Sequence, residues 1–115
     1  MGADSDCVFC RIISGELPST KIYEDSLVAA FRDIRPATPV HVLIVPREHV
    51  AGLSDCGPEH RELLGHLLLA AGKVAELEKI TSYRLLINNG REAGQTVFHL
   101  HAHVLGGRNL GDRLL

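Results

Sequence analysis

Apolar residues recur in seven stretches of this chain, and their spacing predicts seven elements of secondary structure. Five stretches are short, rich in β-branched or aromatic residues, and bounded by glycine, proline or charged residues, as expected of strands. Two stretches repeat their apolar positions every three to four residues and are predicted to be helices. The predicted strands are residues 21–25, 27–33, 40–46, 83–88 and 97–105, and the predicted helices are residues 6–15 and 58–80.

The predicted helices carry signals at their ends as well as an apolar face. Asp6 can cap the first helix, and Gly15 can end it. Pro58 suits the first turn of the second helix, and Lys79 suits its C-terminal end. The second helix has a broad apolar face, made of Leu63, Leu64, Leu67, Leu68, Ala71, Val74 and Ala75.

The set of predicted elements indicates the fold class. Five strands with one short and one long helix favour an α+β fold with an antiparallel sheet, whose strand order the pattern leaves open. A chain of 115 residues suffices for one hydrophobic core but not for two. Residues 1–115 are therefore predicted to form a single domain, with loose tails at residues 1–5 and 109–115.

Composition and charge weigh against several classes of protein. The formal net charge is −2, and no cluster of basic residues marks a surface for nucleic acid. No apolar run is long enough to span a membrane, and the first ten residues lack the basic and apolar regions of a secretory signal. The three cysteines favour thiols kept for metal or redox use over a disulfide framework. We therefore expect a cytoplasmic protein without a nucleic-acid or membrane partner.

Three histidines on alternate residues, His99, His101 and His103, are the main candidates for chemistry. In a strand they would share one face, opposite an apolar set formed by Phe98, Leu100, Ala102 and Val104. A solvent-exposed face would be served as well by Thr, Lys or Glu. A shared catalytic zinc is awkward, because the outer imidazoles would lie about 13 Å apart along an extended strand. The remaining interpretation is an imidazole nucleophile, since neutral histidine is nucleophilic near pH 7.

A glycine-containing loop precedes the histidines, and a nucleophile that attacks phosphorus needs a phosphate-binding loop. The loop reads "NNGREAGQT", residues 88–96. Its glycines would let backbone N–H groups approach an anion. The loop alone is a weak signal, because most such segments only connect strands. Its place directly before the histidines favours phosphate binding.

The histidine segment resembles the signature of the histidine triad (HIT) family, in which three histidines alternate with apolar residues. The matching residues are 99–108, "HLHAHVLGGR". Gly106, Gly107 and Arg108, with "GQTVF" before the histidines, resemble the Hint branch, the purine nucleoside phosphoramidate hydrolases. Residues 12–50 and the segment "LLGHLLL" follow the same pattern in the same order. The resemblance therefore covers nearly the whole chain and implies the HIT fold.

The resemblance implies a role for each matching residue. His101 would be the nucleophile that forms a nucleotidyl-histidine intermediate, with His103, His41 and Thr96 as its catalytic partners. Asp33 would bond the ribose hydroxyls, although a turn residue at this position is the simpler alternative. The rest of the nucleotide site would consist of the base-pocket residues Phe9, Ile12, Phe31, Ile34 and Leu43 and the phosphate-loop residues Asn88, Gly94, Gln95 and Val97.

The first two cysteines form a C-x-x-C motif, Cys7 and Cys10, which can supply two of the four ligands of a zinc ion. A redox pair and two ordinary buried cysteines are the alternatives. Some microbial members of the family complete a structural zinc site with two histidines. The matching positions here are His49 and His99. The resemblance thus implies a structural zinc on these four residues, and no catalytic cofactor.

The resemblance also implies the reaction and the assembly. The expected reaction is hydrolysis of the P–N bond in a purine nucleoside 5′-phosphoramidate, with adenosine preferred, by a homodimer. A dinucleoside polyphosphate hydrolase and a nucleotide-binding regulatory or scaffold protein are the alternatives. The tail, "RNLGDRLL", lacks the aromatic residue that many Hint proteins carry there, so the leaving group is not implied.

Overall fold

A single antiparallel sheet of five strands forms the centre of the computed structural model, which describes residues 6–115. The strand order is β1-β2-β3-β5-β4, so the last two strands of the chain exchange places in the sheet. The elements are α1 Val8–Ile13, β1 Lys21–Glu24, β2 Val28–Arg32, β3 Val40–Pro46, α2 Arg61–Leu77, β4 Tyr83–Leu86 and β5 Ala102–Gly106. Short 3-10 turns cover Leu53–Asp55, Pro58–His60 and Arg91–Ala93. The predicted α+β class and the antiparallel five-stranded sheet are confirmed.

Each face of the sheet is covered by one helix, which explains the continuous apolar runs of β2 and β3. A strand that is buried on both faces has no polar alternation. The face under α2 forms the larger core, which consists of Val28, Ala30, Val42, Ile44, Leu67, Ala70, Ala71, Val74, Leu100, Ala102 and Val104. The opposite face, next to α1, carries a smaller core of Phe9, Ala29, Phe31, Leu43 and Val45.

The strand register brings the predicted site residues together from distant parts of the chain. Leu43 of β3 lies opposite both Phe31 of β2 and His103 of β5. His41 lies two residues before Leu43 on the same strand, so it points to the same face. The side of the sheet that carries α1 therefore collects the candidate pocket and the candidate imidazoles.

The last strand is shorter than predicted. Residues 97–105 were expected to form it, but β5 begins only at Ala102. Residues 97–99 bend away from the sheet, and the Leu100 N–H donates to the Val50 carbonyl, 2.7 Å away, instead of to a strand. Leu100, Ala102 and Val104 point into the core as predicted. Phe98 does not, since 43% of its surface is exposed.

Other predicted boundaries shift by a few residues. The cap of α1 is Cys7, whose Sγ accepts from the Cys10 N–H, and not Asp6. The second helix runs from Arg61 to Leu77 after a 3-10 turn, and Lys79, with φ of 61°, lies beyond its end. β4 ends at Leu86. Residues 107–115 contain no helix or strand, and the predicted tail at residues 1–5 lies outside the described residues.

No helix in the described part of the chain is long and apolar enough to cross a membrane.

Candidate functional site

The three histidines of the motif occupy three different environments, because the chain turns before β5. His99 is completely buried, and His101 is 7% exposed. The His101 ring lies 5.0 Å from the His103 ring and 5.0 Å from the Phe9 ring, measured between centroids. The His101 Nδ1–H donates to the backbone carbonyl of His99 at 2.7 Å. Because Nδ1 holds the proton, Nε2 of neutral His101 keeps its lone pair for chemistry.

A chain of hydrogen bonds sets the protons of the other two imidazoles. The Ala37 N–H donates to His41 Nδ1 at 2.9 Å, so neutral His41 carries its proton on Nε2. His41 Nε2 lies 2.9 Å from His103 Nδ1 and donates to it. The proton of neutral His103 is therefore on Nε2. This atom is buried and has no hydrogen-bond partner among the described residues, as expected of a donor that serves a ligand.

Burial keeps these imidazoles neutral. It lowers the pKa of both His41 and His101, while the negative charge of Asp33 acts in the opposite direction. Burial, together with the nearby His101 and His41, lowers the pKa of His103 to about 4, and the negative charge of Asp33 acts in the opposite direction. At neutral pH the site therefore offers one nitrogen lone pair, on His101, beside one N–H donor, on His103.

A cavity of about 300 Å³ opens beside these two histidines. Its size suits one nucleoside-sized ligand, at the lower end of ordinary small-molecule sites. Ten of its lining residues are predicted site residues, namely Phe9, Ile12, Phe31, Asp33, Ile34, Leu43, Thr96, Val97, His101 and His103. Ile34 is 91% exposed, which places it at the mouth. A larger hollow of about 500 Å³, next to Arg84 and Arg108, contains none of the histidines.

Asp33 stands at the junction between the cavity and the imidazoles. Its Oδ1 accepts from the Arg35 N–H at 2.8 Å, and its Oδ2 lies 3.4 Å from His41 Nε2. The carboxylate lines the cavity and is partly exposed to it. It can therefore accept hydrogen bonds from a ligand while its negative charge acts on the imidazoles.

Three residues of the predicted phosphate loop do not line this cavity: Asn88, Gly94 and Gln95. The loop turns at Gly90 and Gly94, with φ of 98° and 99°, values that favour glycine. Asn88 lies beside Gly94. The Gln95 side chain is buried and bonds only to backbone groups of the protein. Their roles at a nucleotide stay predictions.

Four residues that line the cavity were missed by the sequence analysis: Val8, Pro18, Ser19 and Arg32. Val8 stands one helical turn before Ile12, so helical spacing could have identified it. Pro18 and Ser19 lie in an irregular segment without a motif, and only the path of the chain brings them to the cavity.

A second cluster lies behind the cavity, where α1 meets the loop after β3. The ligand atoms of Cys7, Cys10, His49 and His99 all lie within 4.8 Å of one another. His99 Nδ1 is 3.3 Å from Cys7 Sγ, 3.5 Å from Cys10 Sγ and 3.2 Å from His49 Nδ1. Cys10 Sγ is 3.4 Å from His49 Nδ1. The structure therefore brings together the four predicted metal ligands, which are up to 92 residues apart in the chain.

The geometry of this cluster fits a zinc ion. Tetrahedral zinc, with Zn–S of about 2.3 Å and Zn–N of about 2.0–2.1 Å, places S···N pairs about 3.5 Å and N···N pairs about 3.3 Å apart. Four of the six distances between ligand atoms, 3.2–3.5 Å, match these values. His99 Nε2–H donates to the Pro46 carbonyl at 2.8 Å, which leaves Nδ1 as the ligand atom. Burial also lowers the pKa of His99 to about 4, which favours the neutral, ligating form.

Comparisons with known proteins cover nearly the whole chain. The model of the HIT domain family matches residues 14–110. The purine nucleoside phosphoramidase of Escherichia coli K12 is 45% identical over 111 residues, which cover 95% of this chain and 93% of that protein. The 14 kDa zinc-binding protein of Zea mays is 46% identical over 110 residues, which cover 93% and 86%.

A solved structure shows the same fold. The HIT family hydrolase from Clostridium thermocellum superposes with a TM-score of 0.96 at 50% sequence identity and covers 98% of this chain and 100% of its own. Family model, relatives and fold extend over nearly the same residues as the sheet and its histidine cluster. This chain belongs to the HIT domain family.

Proposed function

We propose that this chain is a hydrolase that cleaves the P–N bond of purine nucleoside 5′-phosphoramidates, with adenosine preferred. One observation carries the proposal: a buried, neutral His101 with a free Nε2 lone pair lines a nucleoside-sized cavity beside the unpartnered N–H of His103. The name of the E. coli relative supports the substrate class.

The proposed reaction has two displacements at phosphorus. In the first, His101 Nε2 attacks the α-phosphorus, a bond from phosphorus to His101 forms, and the bond to the amine breaks as its nitrogen takes up a proton. In the second, water attacks the same phosphorus, the bond to His101 breaks, and the nucleoside 5′-monophosphate leaves. The water releases a proton in this step, which balances the proton taken by the amine. The covalent intermediate divides one difficult displacement into two easier ones.

The neighbours of His101 suit this reaction. The phosphorylated imidazole carries a positive charge, and the His99 carbonyl, which accepts from its Nδ1–H at 2.7 Å, stabilises that charge. The Nε2–H of His103 donates to a phosphate oxygen, and the hydroxyl of Thr96, which also lines the cavity, bonds the phosphate or the leaving group. No metal takes part in these steps.

The test of this function compares turnover of two kinds of substrate by the purified protein and measures its binding of AMP. We expect an adenosine 5′-phosphoramidate to be hydrolysed to AMP much faster than diadenosine polyphosphates. Faster cleavage of the polyphosphates would instead indicate a dinucleoside polyphosphate hydrolase. Tight binding of AMP with turnover of neither substrate would indicate a nucleotide-binding regulatory protein.

We further propose that Asp33 binds the 2′- and 3′-hydroxyls of the ribose, because its carboxylate lines the cavity. Asp33→Ala should weaken AMP binding by about 1.5–3 kcal/mol, the range for a hydrogen bond to a charged group. Binding of 2′,3′-dideoxy-AMP should weaken far less. Calorimetric titration of both ligands measures the difference, and equal losses would show that Asp33 acts only through the imidazoles.

The Cys7/Cys10/His49/His99 cluster is proposed to hold one structural zinc. Its ligand geometry fits that ion, and the maize relative is named a zinc-binding protein. The ligands would hold α1, the loop after β3 and the start of the histidine motif together. Two of these segments, α1 and the histidine motif, line the cavity, so the zinc would stabilise the site without entering the reaction.

We propose a homodimer that associates through α2. This helix exposes three leucines to solvent, Leu68, Leu69 and Leu77, at 50%, 78% and 51%. Gly65 and Gly72 lie in the same helix with open space above them, which permits the close approach of another helix. Leu69→Glu should convert the dimer into a monomer in light-scattering measurements of molar mass. A wild-type mass of one chain would contradict the proposal.

A further inference from the structure

The carboxamide of Gln95 is bonded on both sides although it lies in an irregular loop. Its Oε1 accepts from the Gly90 N–H at 2.8 Å. Its Nε2 donates to the carbonyls of Ala51 and Val97, at 2.8 and 3.1 Å. The residue is 3% exposed. Both hydrogens and the oxygen of this side chain therefore serve the protein interior and none serves the solvent.

These three bonds join three separate segments. Gly90 begins the turn of the loop, Val97 lines the cavity at the loop's other end, and Ala51 belongs to the segment that follows β3. The side chain thus links the two ends of the segment of residues 90–97 to each other and bonds this segment to a neighbouring loop. Thr96 belongs to this segment, between Gln95 and Val97, and lines the cavity.

Few other bonds hold this segment in place. Its remaining backbone bonds among the described residues are local: Gln95 N–H to Gly90 carbonyl at 3.0 Å, Gly94 N–H to Arg91 carbonyl at 3.0 Å and Ala93 N–H to Gly90 carbonyl at 3.1 Å. Gly90 and Gly94 adopt positive φ. Glycine also loses more conformational freedom on folding than any other residue, so ordering this segment is costly. One further tie comes from Asn89, whose Oδ1 accepts from the Ser54 N–H at 2.9 Å.

Gly52, in the neighbouring loop, lies close to the side-chain amides of Asn89 and Gln95. A Cβ atom at this position would lie 3.0 Å from Asn89 Oδ1 and 3.4 Å from Gln95 Oε1. The φ of Gly52 is −161°, which any residue adopts, so its backbone conformation does not require glycine. The lack of a side chain at Gly52 therefore makes room for the Asn89 amide, whereas a Cβ atom would be in ordinary contact with the Gln95 amide.

We infer that Gln95 is a positioning residue for phosphate recognition: it holds Thr96 and the adjoining backbone against the cavity without touching the ligand. The inference rests on the proposed function, which places the substrate phosphorus beside Thr96 and His103. It differs from the role that the sequence predicted for Gln95, in which the residue itself meets the nucleotide. Phe9, Phe31 and Leu43, which the proposed function assigns to the nucleoside, lie on α1, β2 and β3, and Gln95 is linked to them through Val97, which packs against them.

The test measures the affinity of AMP and of adenosine by calorimetric titration for wild type and Gln95→Met, which keeps the side-chain length but removes all three hydrogen bonds. We expect AMP affinity to fall about tenfold, the effect of roughly one ordinary hydrogen bond. Adenosine affinity should stay within about twofold of wild type, because the base and ribose contacts are unchanged. Asn109→Ala, which removes an exposed amide far from the cavity, should alter neither affinity.

Gln95→Asn is the second variant, because it keeps an amide but is one methylene shorter, so it cannot reach all three backbone partners at once. It should weaken AMP selectively, like Gln95→Met, and it supplies the test if Gln95→Met unfolds. Parallel losses for AMP and adenosine, or an unchanged preference for AMP, would contradict the positioning role alone. A wild type that binds neither ligand would contradict the proposed function and the inference with it.

Discussion

His101→Asn is expected to reduce hydrolysis of an adenosine 5′-phosphoramidate by at least about three orders of magnitude, since removal of an attacking nucleophile commonly costs that much or more. Binding should survive, because asparagine is polar, smaller than histidine, and leaves Phe9, Phe31 and Leu43 in place. Steady-state kinetics and titration with AMP measure the two effects separately.

The intermediate itself is the decisive observation. Quenching wild type without acid during turnover of a labelled substrate should leave nucleotide on a peptide that contains His101, in an adduct stable to base and labile to acid.

His103→Asn should slow turnover less than His101→Asn, because it loses an oriented hydrogen bond instead of the attacking atom. His60→Asn is the matched control, since His60 bonds Gly57 and Glu48 away from the cavity. Full activity of His101→Asn without any adduct would require an activated water instead.

Cys10→Ser is the second change with a large expected effect. Cys10 is buried, and its sulfur lies 3.4 Å from His49 Nδ1 and 3.5 Å from His99 Nδ1. Since the free energy of binding a structural zinc contributes to folding, the variant should lose most of its metal. Its melting temperature should fall by about 10 °C or more, as expected for a loss of several kcal/mol in a domain of this size.

Cys56 provides a matched control for this prediction. It is the remaining cysteine and lies outside the cluster, with its sulfur 3.8 Å from the Gly52 carbonyl. Cys56→Ser should keep about one zinc per chain, as measured by atomic absorption, and change the melting temperature much less. Wild-type protein that contains no metal, and whose unfolding a chelator does not alter, would contradict the zinc site.

The elements were predictable because their signals are local. The apolar run of β3 predicted residues 40–46, the bounds that the strand has, since burial on both faces requires continuous apolar residues. The buried face of α2 followed from spacing at Leu63, Leu67, Ala71, Val74 and Ala75, although Leu68, which was predicted on this face, is 50% exposed. The histidine motif and the C-x-x-C pair could be recognised in the sequence as candidate reactive or metal-binding groups. The resemblance to the HIT family then implied which other residues belong to each site.

The predictions from sequence failed or fell short where a hydrogen bond to a residue distant in sequence overrode a local conformational preference. Alternation favoured a strand from Val97, but the Leu100 N–H bonds Val50, the His99 ring bonds Pro46, and the chain bends before Ala102. The resemblance placed Gln95 in the phosphate loop, and that role stays a prediction, but no local pattern indicated the three backbone groups from two loops that bond its side chain. Such bonds join residues up to 53 positions apart, so no window of sequence contains both partners.

By itself the sequence determined the fold class, the positions of the seven elements and the residue types available for chemistry, because propensity, spacing and burial pattern act over a few neighbouring residues. Only the tertiary structure decided which of those residues meet. The strand order puts β3 beside β5, and this pairing alone places His41 Nε2 within 2.9 Å of His103 Nδ1 and so sets the proton on His103. The fold likewise separates the three histidines, with His99 in the cysteine cluster and His101 and His103 at the cavity, because the chain bends where distant carbonyls supply its hydrogen bonds.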